Sequence, residues 1–106
     1  GTIPPEIGAL SGLRQLWLQY NKITGSIPEL GSLTHLTDFH VYDNQIEGTI
    51  PESFGSLTKL TSLGLGMNQL TGEIPDSLNN LNNMFWFVVE SNHLIGTIPI
   101  QFADLP

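Results

Sequence analysis

Apolar residues recur along this chain in fixed columns. Leu10, Leu33, Leu57, Leu81 and Leu105 each open a unit, and Leu13, Leu36, Leu60 and Met84 follow three residues later. The alternating pairs Leu16/Leu18, Phe39/Val41, Leu63/Leu65 and Phe87/Val89 come next, then Ile23, Ile46, Leu70 and Leu94, then Ile27, Ile50, Ile74 and Ile98. Two further columns keep step: Asn21, Asn44, Asn68 and Asn92, and Pro4, Pro28, Pro51, Pro75 and Pro99, at spacings of 23 or 24 residues. Self-similarity at a fixed period of about 20 to 50 residues is the mark of an array in which each unit buries its apolar face on its neighbours.

The physics of one unit follows from its pattern. The alternating pair turns one side of a short strand inward and leaves the residues between facing out, which predicts one strand per unit and a parallel sheet when units stack. Asparagine follows where the chain leaves the strand; its amide both donates and accepts, so a stacked column of Asn21, Asn44, Asn68 and Asn92 is expected to satisfy turn backbone. Asn68, inside the array, is expected to matter more than Asn92 near its open end. The glycines at 25, 48, 72 and 96 suit positive φ or close approach, and proline after isoleucine limits the chain to a short return path. Acids after proline, as in Pro28-Glu29, Pro51-Glu52 and Pro75-Asp76, suit the first turn of a short 3₁₀ segment.

Written out, the unit LxxLxxLxLxxNxLxGxIPxxLxxL resembles the plant-type class of leucine-rich repeats. The GxIP segments Gly25-Ser26-Ile27-Pro28, Gly48-Thr49-Ile50-Pro51, Gly72-Glu73-Ile74-Pro75 and Gly96-Thr97-Ile98-Pro99 mark that class, and the resemblance runs over the whole chain. It implies an α/β fold: a right-handed leucine-rich-repeat solenoid with a parallel β-sheet on the concave face and short 3₁₀ or loop segments on the convex face. It also implies a non-catalytic module for a protein or peptide partner, as in receptor-kinase ectodomains and polygalacturonase-inhibiting proteins, outside the cell or on its surface. An organelle-associated complex is the alternative location. The chain reads as one array, residues 1–106, with a partial unit 1–9 and units 10–32, 33–56, 57–80 and 81–104, belonging to a longer protein.

Composition changes this picture in three places. Ten acidic and three basic residues give a formal charge of −7, which argues against a nucleic-acid backbone as partner. With no cysteine the chain offers no disulfide or thiolate ligand, and the paired cysteines that often cap arrays of this family are missing. The ends are therefore expected to be covered by further repeats, caps or neighbouring subunits. No N-x-[ST] sequon occurs, and no apolar run approaches the roughly 20 residues of a membrane span.

Function is expected on the outward strand positions, because the inward columns are committed to the core. These positions are Gln15, Trp17, Gln19 and Tyr20; Asp38, His40, Tyr42 and Asp43; Ser62, Gly64, Gly66 and Met67; and Trp86, Val88, Glu90 and Ser91. Aromatic types are enriched at protein interfaces, and the candidate contact residues are Trp17, Gln19, Tyr20, Asp38, His40, Tyr42, Asp43, Trp86 and Glu90. Gly64 and Gly66 are expected to leave a shallow dip beside them, suited to a peptide, a sugar or a partner's side chain, and outward residues are expected to be separable from folding. Asp38, His40 and Asp43 lie on an open face without nucleophile, oxyanion donors or a water-excluding cleft, so no catalysis, metal or cofactor is expected. His35 and His93 are ordinary surface positions. Two other functions are carried beside partner binding: a spacer or assembly subunit of a larger complex, and ice binding through the column Thr2, Ser26, Thr49, Glu73 and Thr97, which Glu73 interrupts.

Overall fold

The computed structural model describes residues 1–102 and 105 of the chain, so positions 103 and 104 of the fourth unit lie outside the described residues. Among the described residues there are seven strands: β1 Gln15–Trp17, β2 Asp38–His40, β3 Glu47–Gly48, β4 Ser62–Gly64, β5 Gln69–Glu73, β6 Trp86–Val88 and β7 His93–Ile95. One sheet runs β1-β2-β4-β6, parallel throughout, in a register that aligns Leu16, Phe39, Leu63 and Phe87 across the four strands. This is the parallel sheet, one strand from each coil, that the repeat pattern predicts. Short 3₁₀ turns at Pro5–Ala9, Glu52–Ser56, Asp76–Asn80 and Ile100–Phe102 occupy the opposite side. The unit trimmed by one residue, where Pro28-Glu29-Leu30 replaces the longer Pro51-Glu52-Ser53-Phe54, has no such turn. Leu30 is fully buried there, as Phe54 is in the next coil.

The expectation of one strand per unit is corrected, because a second parallel sheet, β3-β5-β7, follows the asparagine turn. Its cause is local. Residues 69 to 74 alternate Gln, Leu, Thr, Gly, Glu and Ile, so Leu70 and Ile74 face the core while Gln69, Thr71 and Glu73 stay exposed. The backbone is then extended and pairs with the preceding coil, as in the Gln69 N–H to Ile46 carbonyl bond of 2.8 Å. The same side continues in the first coil as a single bridge between Thr2 and Thr24. Gly48 and Gly72, on this stretch, hold φ near +80°, a conformation that L side chains resist.

Inside the coil, leucines from three directions meet. Leu33, Leu36, Leu57, Leu60, Leu63, Leu65 and Leu70 have no exposed surface, and Phe39 meets Phe54 edge-on with centroids 5.3 Å apart. Leu13, Leu16, Leu18 and Ile23 in the first complete coil pack against this core but are only partly buried.

The asparagine column has a direction. Asn68 Nδ2 donates to the carbonyls of Leu65 and Gly66 in its own coil and to Val41 in the coil before, at 3.0 to 3.3 Å, while its Oδ1 accepts from the Ile46 N–H at 3.0 Å. Asn44 and Asn92 repeat this set, with Oδ1 accepting from Ile23 and Leu70. Each asparagine therefore serves the coil that precedes it. Asn21 bonds only to Leu18 and Gln19 of its own coil. The residue before each asparagine, Tyr20, Asp43, Met67 or Ser91, sits at φ +55 to +62°, a left-handed conformation that costs a side-chain-bearing residue about 1–2 kcal/mol.

This polarity revises the expected ranking within the column. Asn68→Leu leaves the buried Ile46 amide without its partner and removes one of two donors from each of the carbonyls of Val41, Leu65 and Gly66, and should destabilise by roughly 1–3 kcal/mol. Asn92→Leu should cost a comparable amount, and Asn21→Leu distinctly less. Urea unfolding midpoints measure all three; a midpoint for Asn68→Leu equal to that of the parent would refute the ladder.

Candidate functional site

The register of the first sheet carries the outward side chains into one row. Trp17 pairs with His40 across β1 and β2, and His40 with Gly64 across β2 and β4. The His40 imidazole lies between two indoles, with ring centroids 4.8 Å from Trp17 and 5.1 Å from Trp86 at interplanar angles of 43° and 40°. Tyr42 stands edge-on to His40 at 5.8 Å and meets Trp86 at 6.2 Å, and Tyr20 stands edge-on to Tyr42 at 5.3 Å. Offset, tilted and edge-to-face pairs of this kind are the favoured aromatic geometries. Five rings from three coils and the turns after them form one continuous patch.

Two expectations about this face are corrected. There is no dip at Gly64, because the rings of its neighbours have closed over it. A Cβ built on Gly64 would stand 2.7 Å from His40 Nδ1, 2.8 Å from Tyr42 Cδ2 and 3.0 Å from Trp86 Cζ3. Gly66 is likewise covered, by the Val88 methyl and the Glu90 backbone. With no side chain at 64 to hold them apart, the rings lean inward over Gly64, and Ser62, Gly64 and Gly66 are all buried. The second correction concerns His40, which is 6% exposed and is part of the packed structure rather than a free outward group.

The remaining candidates are more open. Trp17 is 54% exposed and Tyr20 70%, and Glu90 is exposed; Gln19, Asp38, Tyr42, Asp43 and Trp86 are half-buried. Trp17, His40, Tyr42, Trp86 and Tyr20 come together, whereas the carboxylates of Asp38, Asp43 and Glu90 are contributed by three different turns or strand ends around them. Ser62, outward on β4, shares a hydrogen bond of 2.8 Å with His40 Nε2. That pairing was readable from the register, since position 62 lies on the strand next to 40 and on the same face. Phe85, 62% exposed and one residue before β6, was overlooked; its signal was an aromatic in a column otherwise held by Arg14, Thr37 and Thr61.

The electrostatics of the patch follow from burial. Burial holds His40 below its ordinary value of 6.5, against the opposing pull of the Asp38 charge, so the ring is neutral at pH 7. Burial, with Tyr20 beside it, raises the Tyr42 phenol. The Ser62–His40 pair lacks the third group that orients the base in a nucleophile–base arrangement: Nδ1 is covered and has no partner, and Asp38 instead accepts the Thr37 hydroxyl at 2.8 Å. A separate groove of about 500 Å³ lies on the other side of the coil, lined by the two GxIP segments from Ile74 to Asp76 and Thr97 to Ile100 together with Asn79. Asn79 stands where Gly31 and Gly55 let earlier coils approach closely. Among the described residues that line this groove, Asp76 is the one charged group and none is aromatic.

Comparison with known proteins agrees with this architecture. A family model described as "Leucine rich repeat" matches residues 34–94, and one described as "Leucine Rich repeats (2 copies)" matches residues 11–52. No curated protein matches. Among solved structures, the ectodomain of the plant membrane receptor kinase GASSHO1/SCHENGEN3 from Arabidopsis thaliana, in complex with CASPARIAN STRIP INTEGRITY FACTOR 2, is similar at 34% identity and a TM-score of 0.91. It covers 98% of this chain and 13% of that one. The ectodomain of the receptor kinase SOBIR1 from Arabidopsis thaliana is similar at 35% identity and a TM-score of 0.92 over 100% of this chain and 59% of its own. A plant ice-binding protein is similar at 37% identity and a TM-score of 0.84, covering 88% of this chain and 31% of that one. This chain thus spans less than two thirds of each of these neighbours.

Two outcomes follow from the packed patch. Gly64→Ala forces three rings apart and should cost roughly 1–3 kcal/mol, with a red shift of tryptophan emission; an unchanged melt and spectrum would contradict closure over Gly64. His40 binds a proton less readily folded than unfolded, so its contribution is fully present above about pH 6.5 and is lost as pH falls through the lowered value. Thermal melts between pH 7.5 and 5 should show a decline that His40→Gln flattens; identical pH profiles for parent and variant would contradict a buried, neutral His40.

Proposed function

The chain belongs to the leucine-rich-repeat family, in its plant-type class, and on that premise we propose that it is a non-catalytic binding module whose strand face contacts a protein or peptide. The observation that carries this reading is the continuous aromatic patch of Trp17, His40, Tyr42, Trp86 and Tyr20, partly open to solvent and built on strands whose other face is the core. Large rings offer contact area at low entropic cost and are the types that dominate binding energy at interfaces. A neighbour of the same fold is a receptor-kinase ectodomain crystallised with a partner factor, which supports this reading and an extracellular or cell-surface location. On this reading the chain is one array, residues 1–106, with a partial unit 1–9 and units 10–32, 33–56, 57–80 and 81–104, within a longer protein whose further repeats, caps or neighbouring subunits cover its ends.

A second reading, ice binding, is favoured by the similarity to a plant ice-binding protein. The relevant surface is the outer face of β3, β5 and β7, where Thr2, Ser26, Thr49 and Thr97 form a column broken by Glu73, and Thr24 and Thr71 a second one broken by Glu47. Carboxylates in both columns spoil a regular hydroxyl lattice, so the aromatic face is the better supported site. Absence of thermal hysteresis in a solution of the chain closes this alternative.

The partner-binding reading is tested by truncating open residues of the patch in the full-length protein and measuring affinity for the partner it retains. Trp17→Ala and Tyr20→Ala, at the two most open rings of the patch, should each lose roughly 2 kcal/mol or more of affinity while the melting temperature stays near that of the parent. Parental affinity in both variants would move the interface to the flanks of the array.

A further inference from the structure

The chemistry around the aromatic patch selects among ligands, and it does so by charge. Of the outward positions on the four strands and the turns after them, Asp38, Asp43 and Glu90 are ionisable acids, and none is a lysine or arginine. The whole sequence has three basic residues, Arg14, Lys22 and Lys59. Lys59 lies away from the face, 3.3 Å from His35 Nδ1; Arg14 precedes β1 and Lys22 follows the asparagine turn. His40, the one titratable base at the centre of the patch, is kept neutral by burial, and its covered Nδ1 has no hydrogen-bond partner. The patch therefore combines electron-rich ring faces with a carboxylate rim and no competing cation.

We propose that the strand face is selective for a cationic side chain, an arginine or lysine of an extended peptide or exposed loop, stacked on Trp17 and the Tyr20–Tyr42 pair with Asp38, Asp43 and Glu90 as counter-charges. The proposal rests on the strand face being the binding surface. A cation over an indole or phenol face is drawn to the ring quadrupole, and a planar guanidinium also stacks. Trp17 has more than half of its surface open, so a ring remains available after its contact with His40. The acids add attraction on approach that salt weakens, because exposed charges are screened within about 8 Å at physiological ionic strength. A chain with a formal charge of −7 attracts any polycation weakly, and the rings are what separate this site from that background.

The two tryptophans of the chain are both in the patch, so their fluorescence reports on it directly. The probes are tetra-arginine and its tetra-citrulline counterpart, whose planar urea keeps the shape without the charge and with a carbonyl in place of one amino group of the five-donor guanidinium, and neutral cellohexaose. The expected result is saturable quenching by tetra-arginine at 150 mM salt and at least about tenfold weaker binding of tetra-citrulline. Trp17→Leu should weaken tetra-arginine about fivefold or more, the double variant Asp38→Asn with Asp43→Asn should weaken it and reduce its salt dependence, and Glu52→Gln, on the far side of the coil, should leave it unchanged. Tetra-citrulline binding as tightly as tetra-arginine, with loss in Trp17→Leu, would overturn the cationic preference and leave the strand face as the binding surface. Tetra-arginine binding that is indifferent to Trp17→Leu would overturn the site and leave only non-specific attraction. Saturable binding of cellohexaose without response to tetra-arginine would replace the cation by a carbohydrate, and no response to any probe at millimolar concentration would overturn the proposal while leaving the test with the retained partner decisive for the broader reading.

Discussion

A coil of 23 or 24 residues has to turn off its strand inside a space too narrow for water to satisfy the backbone, and the asparagine amide is what meets that constraint. One side chain reaches the carbonyls of its own turn, a carbonyl of the coil before it and an amide just past that coil's own asparagine turn, as at Asn44 and Asn68. A buried amide or carbonyl left bare costs roughly 1–3 kcal/mol, so the column fixes both the shape of the turn and the distance between coils. It also lets the residue before it hold a left-handed conformation, even where that residue is Tyr20 or Met67. The leucine columns then fill the space that the asparagines define, and each coil is stable only against its neighbours.

Because turn and core are satisfied from within, the outer face of the first sheet is free of structural duty except at one point. Glycine at position 64 removes the side chain that would keep adjacent rings apart, and His40, Tyr42 and Trp86 meet above it. The result is a surface whose centre is packed like a core and whose rim, from Trp17 and Tyr20 to Glu90, is open. A preorganised aromatic surface loses little conformational entropy on binding, and the burial that orders it also keeps His40 uncharged. Packing and electrostatics of the patch thus have one origin.

Much of this was legible in the residues. The leucine, asparagine, glycine and proline columns each state a backbone or burial requirement directly, and the fold follows from their period. The second sheet was also present in the alternation of residues 69 to 74, but it was hidden because glycine stands at an inward position where a strand pattern ordinarily shows a large apolar residue. The closure over Gly64 was not legible, since a glycine read by itself implies space, and only the volume of rings on two neighbouring strands turns that space into a contact. The direction of the asparagine ladder was equally hidden: a column of identical letters is symmetric, whereas Oδ1 always accepts from the coil before. Asn44, Asn68 and Asn92 each make the same four bonds, three given to carbonyls and one accepted from the coil before.

The central claim, that the asparagines tie each coil to the one before it, is tested most directly by amide hydrogen exchange at Ile23, Ile46 and Leu70, whose N–H groups donate to asparagine Oδ1 at 2.9 to 3.0 Å. These three amides lie outside the ladder of the first sheet, so their protection reports on the side-chain bond. The account predicts that Ile46 and Leu70 exchange as slowly as Val41 and Leu65, which are held by backbone bonds within the sheet, with Ile23 faster because its coil is more open. Exchange at Ile46 and Leu70 at the rate of an unbonded turn would contradict it.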